Sequence, residues 1–375
     1  MAHITLNRES ERPLKVIGLM SGTSMDGIDA AYLETDGGQM VRPGPAVSIP
    51  FAPQFRARLT AFVASAPERA GGAAEALEAE LTDLHAVAVR QLMENLDGDM
   101  GDLDLVGFHG QTVWHRPAEG ETWQMGDGER LAKALGLPVA FDFRSDDVRA
   151  GGQGAPLLPA YHAALAAGTG DGLAVLNIGG VANVTWVGAA PGAESPELLG
   201  FDTGPGNGLI DDWVARRLGL SMDRDGAIAA AGRVDEGVLA QLMSHVYFAA
   251  RPPKSLDRYA FDVSPVTHLS TEDGAATLTA FTAAAVAEGL AHCPRRAGRL
   301  LVTGGGRHNP TLMAELRRRT GADVVAVEEV GWQGDALEAQ GFAYLAVRCL
   351  RGLPITFPGT TGVASPLKGG RIVAP

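Results

Sequence analysis

The sequence predicts a two-domain α/β protein, and three observations carry that prediction. The chain has 375 residues, more than one ordinary hydrophobic core serves. An apolar run, a glycine-bearing turn and a second strand-like run occur twice, at 15–33 and 173–187, which suggests two domains of like topology. Elsewhere, segments at helical spacing alternate with short apolar runs that end in glycine.

In chain order, 15–20 reads as a buried strand, 21–27 as a tight polar loop and 28–33 as the returning strand. Leu77, Leu81, Leu84, Ala88 and Leu92 recur at helical spacing among polar residues and predict an amphipathic helix. Leu103 to Phe108 is a short strand ending at His109, Gly110, Gln111 and Thr112. The second hairpin pairs 173–178 with the β-branched run 181–187 across Gly179 and Gly180. A polar, glycine-rich loop at 200–207 leads into a helix over 208–218. A later helix covers 277–290, and the strand 299–303 runs into Gly304, Gly305 and Gly306. Asn309 then caps a helix with Pro310 at its first position, and Arg317, Arg318 and Arg319 complement its C-terminal dipole. A last helix spans about 335–350, and 352–375 is a Gly- and Pro-rich tail.

Composition narrows the function classes. Lys plus Arg number 31 against 44 Asp plus Glu, a net charge of −13, with no dense basic patch to neutralise a phosphate backbone. Nucleic-acid and anionic-membrane partners are therefore not expected. No apolar run approaches a membrane span, and the first twelve residues lack the apolar core of a signal peptide. Cys293 and Cys349 make neither a disulfide framework nor a metal spacing, so the expected location is the cytoplasm. The 49 glycines have no collagen period and gather where the backbone turns or approaches something closely.

Three such glycine loops can carry chemistry. Ser21 to Gly27 offers consecutive N–H groups, hydroxyls and the Asp26 carboxylate, suited to phosphate oxygens and a cation, although an ordinary polar turn has the same composition. It lacks the Lys-Ser/Thr pair and following helix of a Walker A loop. Around Pro205, Gly204 and Gly206 leave backbone bare for a phosphate, with Asp202 beside them as a candidate base. An aspartic-protease reading of Asp202-Thr203-Gly204 fails for want of a second such site in an all-β chain. The triple glycine at 304–306 lets a flat ring or a phosphate lie against a strand end. His109, Gln111, Thr112, His115, Asp127, Asp142, Arg144, Gln153 and Glu338 stand at other strand ends or loops.

Taken together, the motifs at 18–30, 107–117, 151–157, 177–183, 201–207 and 304–310 resemble the anhydro-N-acetylmuramic acid kinase family, in order and over about 16–362. The resemblance implies the sugar kinase, heat-shock protein 70 and actin fold, two RNase H-like lobes around an inter-domain cleft. The lobes are expected at 1–141, with the tail 352–375 returning to it, and at 142–351. It further implies that ATP, water and 1,6-anhydro-N-acetylmuramic acid give N-acetylmuramic acid 6-phosphate and ADP. The same resemblance puts Gly22, Thr23, Ser24, Met25, Asp26, Gly27, Ile28 and Asp29 on ATP phosphates, with Asp26 facing Mg²⁺ through water. Gly204, Gly206 and Asn207 are a second phosphate loop, and Gly304, Gly305, Gly306 and Asn309 lie near the adenosine. Asp202 falls on the catalytic aspartate, and His109, Gln111, Arg144 and Glu338 on the sugar side. A homodimer is suggested by the resemblance only. Gln340 stands where an apolar residue is expected, and Arg307-His308 departs beside the adenine loop. Two alternatives remain at this point: another sugar or carboxylate kinase of the same fold, and an actin- or heat-shock-like ATPase that works through a partner.

Overall fold

The computed structural model describes residues 12–65, 72–96, 102–167, 172–188, 197–256 and 260–375. The N-terminal stretch 1–11, on which the absence of a leader was expected, lies outside these residues. Strands β1 (Leu14–Ser21), β2 (Gly27–Thr35) and β3 (Val41–Pro50) are followed by helices α1 (Pro53–Ala64) and α2 (Gly72–Asn95). Then come β4 (Leu105–Arg116), β5 (Glu121–Met125), α3 (Gly128–Leu135), β6 (Val139–Phe141), α4 (Ser145–Arg149) and α5 (Pro159–Leu165). The second half opens with β7 (Leu173–Ile178), β8 (Val181–Gly188), β9 (Glu197–Pro205) and α6 (Gly208–Leu218). Short helices α7 (Ala227–Ala231), α8 (Glu236–Met243) and α9 (Val246–Ala249) precede α10 (Thr271–Leu290), β10 (Arg299–Thr303), α11 (Pro310–Thr320) and β11 (Asp323–Ala326). The chain ends in α12 (Leu337–Arg351), α13 (Pro358–Thr361) and β12 (Arg371–Val373).

Two compact units result, Met1–Ala167 with Ala336–Pro375, and Gly168–Asp335. Among the described residues, the first holds a sheet of order β12-β6-β4-β1-β2-β3 with β5 hydrogen-bonded to β4. The second holds β11-β10-β7-β8-β9. In each, three antiparallel strands are extended by strands running parallel to the first: β4 and β6 beyond β1, β10 and β11 beyond β7. That repeated order is the RNase H-like arrangement, so the two hairpins did mark two like lobes.

The division differs from the expected one. The boundary falls after Ala167 rather than near 141, and α12 belongs to the first unit rather than the second. Packing is the reason: α12 lies on β1, β2 and β4, and α5 packs on α12. Gly18 and Gly107 are direct partners on β1 and β4. A Cβ on Gly18 would overlap the Ala339 carbonyl oxygen, and one on Gly107 the Phe342 carbonyl oxygen. This glycine notch seats the helix backbone against the sheet. Gln340 does not disturb that packing, because it is fully buried and accepts the Tyr161 hydroxyl at 3.0 Å. In the tail, β12 pairs antiparallel with β6.

On the opposite face of the first sheet, Ile17, Leu19, Val106 and Phe108 meet Leu81, Val89 and Leu92 of α2. Each such fully buried side chain contributes about 1.5–3 kcal/mol. In the second unit Leu176, Val184 and Val302 pack with Leu312 and Leu316 of α11. Among the described residues no helix is long and apolar enough to cross a membrane.

Candidate functional site

In each unit the expected residues gather at the carboxyl ends of the central parallel strands, where α/β sheets leave room for ligands. The first unit begins with the turn between β1 and β2. Met25 adopts φ 49° and its N–H donates to the Gly22 carbonyl at 3.0 Å, so the turn is tight. Thr23, Ser24 and Asp26 are exposed, and Ser24 Oγ donates to Asp26 Oδ1 at 2.9 Å. Three residues expected in this loop, Gly27, Ile28 and Asp29, belong instead to β2. Ile28 is 1% exposed in the apolar core, and Asp29 accepts the Ser48 hydroxyl from β3 at 2.5 Å. The turn itself is therefore Gly22–Asp26.

Strand β4 does not end at Phe108 but continues to Arg116 by way of a bulge. Leu19 faces Phe108 and Ser21 faces Gln111, leaving His109 and Gly110 opposite the single Met20. Gly110 has φ +75°, and a Cβ there would overlap the Met125 carbonyl. Gln111 is fully buried and spent on the first loop: its Oε1 accepts from Ser21 Oγ at 2.6 Å and its Nε2 donates to the Gly22 carbonyl at 3.2 Å. His109, 4% exposed, is equally committed. Its Nδ1 meets the Gly110 carbonyl at 2.8 Å, its Nε2 meets Arg144 Nε at 3.0 Å, and its ring packs at a tilt against Phe342 with centroids 4.5 Å apart. Both side chains, expected on the sugar side, are thus engaged by protein groups.

Arg144 is half-buried and donates Nη1 to the Gly154 carbonyl at 2.7 Å. Glu338, also half-buried, stands on the first turn of α12, four residues before Phe342 and thus on the same helix face. The loop 151–156 that receives Arg144 is itself tied down. Asp147 accepts the Gly154 N–H and the Thr361 hydroxyl at 2.6 Å each, and His115 Nε2 donates to the Gln153 carbonyl at 2.7 Å. Burial first, then the Arg144 charge, pulls His115 down to about 4 and His109 well below the usual imidazole range. Asp127 is an N-cap, accepting from Arg130 N at 2.9 Å. A groove of about 750 Å³ runs past His109, Trp114, Trp123, Asp142 and Arg371. Arg371 and Asp142 pair across it at 3.2 Å.

In the second unit Asp202 sits within β9 rather than on a loop, at a register shift opposite Asn183. The segment 254–256 holds it: Asp202 N–H donates to the Lys254 carbonyl at 3.0 Å, and Leu256 N–H donates to Asp202 Oδ2 at 2.8 Å. The Tyr247 hydroxyl donates to the Asp202 carbonyl at 2.5 Å. Lys254, 8% exposed, donates Nζ to the Tyr247 carbonyl at 2.9 Å and lies 4.4 Å from the Tyr247 ring centroid. Desolvation lowers its pKa. Sequence reasoning missed this clamp, whose available signal was the turn-forming Pro252-Pro253 before it.

Gly204 and Gly206 are buried and do not present bare backbone. A Cβ on Gly204 would crowd Ala285 of α10, and one on Gly206 would overlap the Gly179 carbonyl. Asn207 stays half-buried at the start of α6, with its N–H on Gly179 O at 2.7 Å and its Nδ2 on Ile178 O at 3.3 Å. Gly304 and Gly306 rest against Asn177 and Ile178, while Gly305 is exposed beside Asn207. Asn309 is 8% exposed and caps α11 through Leu312 N at 2.9 Å, so its side chain serves the helix. Arg307 turns inward and fixes the glycine loop: Nη1 donates to Gly304 O at 3.0 Å, Nε pairs with Glu328 at 2.8 Å and Nη2 with Asp335 at 2.7 Å. The second unit thus joins Asp202, Asn207, the Gly179–Gly180 turn and the 304–306 loop at one sheet end.

The family model for anhydro-N-acetylmuramic acid kinase matches residues 14–375. The chain belongs to the anhydro-N-acetylmuramic acid kinase family. A curated anhydro-N-acetylmuramic acid kinase of Rhizorhabdus wittichii is 55% identical over 94% of this chain and 97% of its own. That of Rhodospirillum rubrum is 53% identical over 97% of this chain and 95% of its own. Membership in this kinase family covers both units and every loop described above. Among the described residues no cluster of three or more His, Cys, Asp or Glu could hold a metal. The first loop, with one exposed carboxylate beside a hydroxyl, fits a Mg²⁺ that keeps waters and phosphate oxygens as its other ligands.

Proposed function

We infer that this protein is an ATP-dependent kinase that adds water across the 1,6-anhydro bond of 1,6-anhydro-N-acetylmuramic acid and phosphorylates O6. The products are N-acetylmuramic acid 6-phosphate and ADP, a step that recycles cell-wall sugar. Near-full-length membership in the family is the observation that carries this reading. Cytoplasmic ATP and the two free thiols, Cys293 and Cys349, agree with a reducing compartment.

Within this reading Asp202 accepts a proton from the water that attacks the anomeric carbon. The bond from that carbon to O6 breaks, O6 attacks the γ-phosphorus in line, and ADP leaves. Charge released on O6 is taken up by phosphoryl transfer, so no separate acid is needed there. The Leu256 N–H on Oδ2 and the two main-chain bonds at Asp202 hold the carboxylate in one orientation during the proton transfer. The N–H groups of Gly22–Gly27 and the hydroxyls of Thr23 and Ser24 supply donors to phosphate oxygens, and Asp26 would hold Mg²⁺ through water. When bound, that ion supplies charge neutralisation at the phosphates. Gly305 and Asn207 are the exposed and half-exposed members of the nucleotide-facing loops. Arg144 and Glu338 receive the sugar. The test is ADP release that requires 1,6-anhydro-N-acetylmuramic acid, with the phosphorylated product identified by mass. Equal ADP release without sugar, or with any hexose, would refute the assignment.

A further inference from the structure

We propose that His109 is a positioning residue for the sugar site: as the neutral Nδ1–H tautomer it accepts the Arg144 Nε–H and fixes the guanidinium plane. The proposal rests on the reading that Arg144 faces the sugar, and it changes what His109 does there.

The hydrogen bonds select the tautomer. A carbonyl can only accept, so the 2.8 Å contact to Gly110 O places a hydrogen on Nδ1. A guanidinium Nε can only donate, so the 3.0 Å contact leaves Nε2 as an acceptor lone pair. Both demands are met by one neutral form, and a doubly protonated ring would set its Nε2–H against the Arg144 cation. The site keeps that form: the ring is 4% exposed, packed at a tilt against Phe342, and its pKa lies well below 6.5 through burial and the Arg144 charge.

The arrangement is built for rigidity. Arg144 is held at Nε by His109 and at Nη1 by Gly154 O, so two nitrogens of the planar guanidinium are anchored and its rotation is restricted. Gly154 is in turn held by Asp147, and Asp147 by Thr361. His109 reaches this position through the β4 bulge, which only a glycine at 110 allows. A planar guanidinium recognises a carboxylate by geometry as well as charge. Orientation is therefore what His109 contributes to a substrate with an acidic side group, such as the lactyl carboxylate of a muramic sugar.

Three variants and one spectroscopic measurement test this. His109→Phe keeps the ring and removes both nitrogens. His109→Asn reaches only the Nδ1 position, and His109→Gln can return an acceptor to the Nε2 position. Loss of a hydrogen bond to a charged group corresponds to about tenfold to hundredfold. The sugar KM of the Phe and Asn variants is expected to rise by that much, with the KM for ATP unchanged and Gln recovering most of the loss. In an Arg144→Met background the Phe substitution should add nothing further. In ligand-free wild-type protein at pH 7, long-range ¹H–¹⁵N correlation should show His109 as Nδ1–H and a protected Arg144 Nε–H that disappears in His109→Phe. An Nε2–H tautomer overturns the proposal, as does a Phe variant with lowered melting temperature but wild-type sugar KM. The spectroscopic arm needs no substrate, so its outcome is separate from the failure of the kinase reading.

Discussion

Asp202 is held through its N–H, its carbonyl and Oδ2, by the Lys254 carbonyl, the Tyr247 hydroxyl and the Leu256 N–H. Three contacts on a residue at a strand irregularity leave little freedom in where the carboxylate points, as a general base requires. Asp202→Asn keeps the shape and the Leu256 contact through its amide oxygen while removing the base. It should lower kcat by about 10²–10⁴-fold with an unchanged melting temperature. Rapid-quench measurement of sugar phosphate checks this, and near-normal turnover would remove Asp202 from the proton transfer. At the same scale, His109, Gln111 and Asn309 show the limit of reading residue types. All three are polar and stand near the expected loops, yet each is buried and occupied by protein groups. For His109 and Gln111 the deciding partners, Arg144 and Ser21, lie 35 and 90 residues away in sequence, which no local pattern reveals, whereas the Asn309 cap is a local contact that the sequence does show.

The elements divide by the kind of signal they carry. Both hairpins, α2, α6 and α11 with its Asn309 cap announce themselves through periodicity, glycine turns and capping chemistry. The later part of β4 and the Asp202 end of β9 were legible only as loops, because bulges let polar residues and glycine run through a strand. For α12 the sequence shows a helix but not its address, since its seat on β1 and β4 is formed by glycines more than 200 residues upstream. That seat makes a sharp prediction. Gly18→Ala puts a methyl into the Ala339 carbonyl and must lift α12, which carries Glu338. The expected cost is about 1–3 kcal/mol or more, with a larger relative loss of kcat/KM for the sugar than for ATP. Gly72→Ala, where a Cβ meets nothing within 4 Å, is the control and should leave both stability and kinetics near wild type. Urea titration of both variants decides it, and equal midpoints would show that the notch is not tight.

Over the whole chain, acid should attack the two units unequally. His85, His109, His115 and His162 all belong to the first unit and are all kept neutral chiefly by burial. His85 and His115 are depressed from 6.5 to about 4 and His162 to about 3. In the unfolded chain each binds a proton as pH falls through about 6.5, whereas in the folded chain it does not until near its lowered value. The unfolded state therefore binds more protons throughout that window, and stability falls as pH falls. The loss is on the order of 2 kcal/mol per histidine by pH 5. The carboxylates with lowered values, Asp83, Asp262, Asp273 and Glu315, act in the same direction but only below about pH 4.5, so the range from 7 to 5 isolates the histidines. His85 shows what protonation would cost: its Nδ1 meets Leu81 O, its ring packs on Phe108, and its Nε2 has no hydrogen-bond partner among the described residues. Melting followed between pH 8 and pH 5, with limited proteolysis at each step, should show a falling transition and first cleavage within 12–167. A melting temperature that stays flat from pH 7 to pH 5, or first cleavage within 172–335, would show that these buried imidazoles do not govern acid stability.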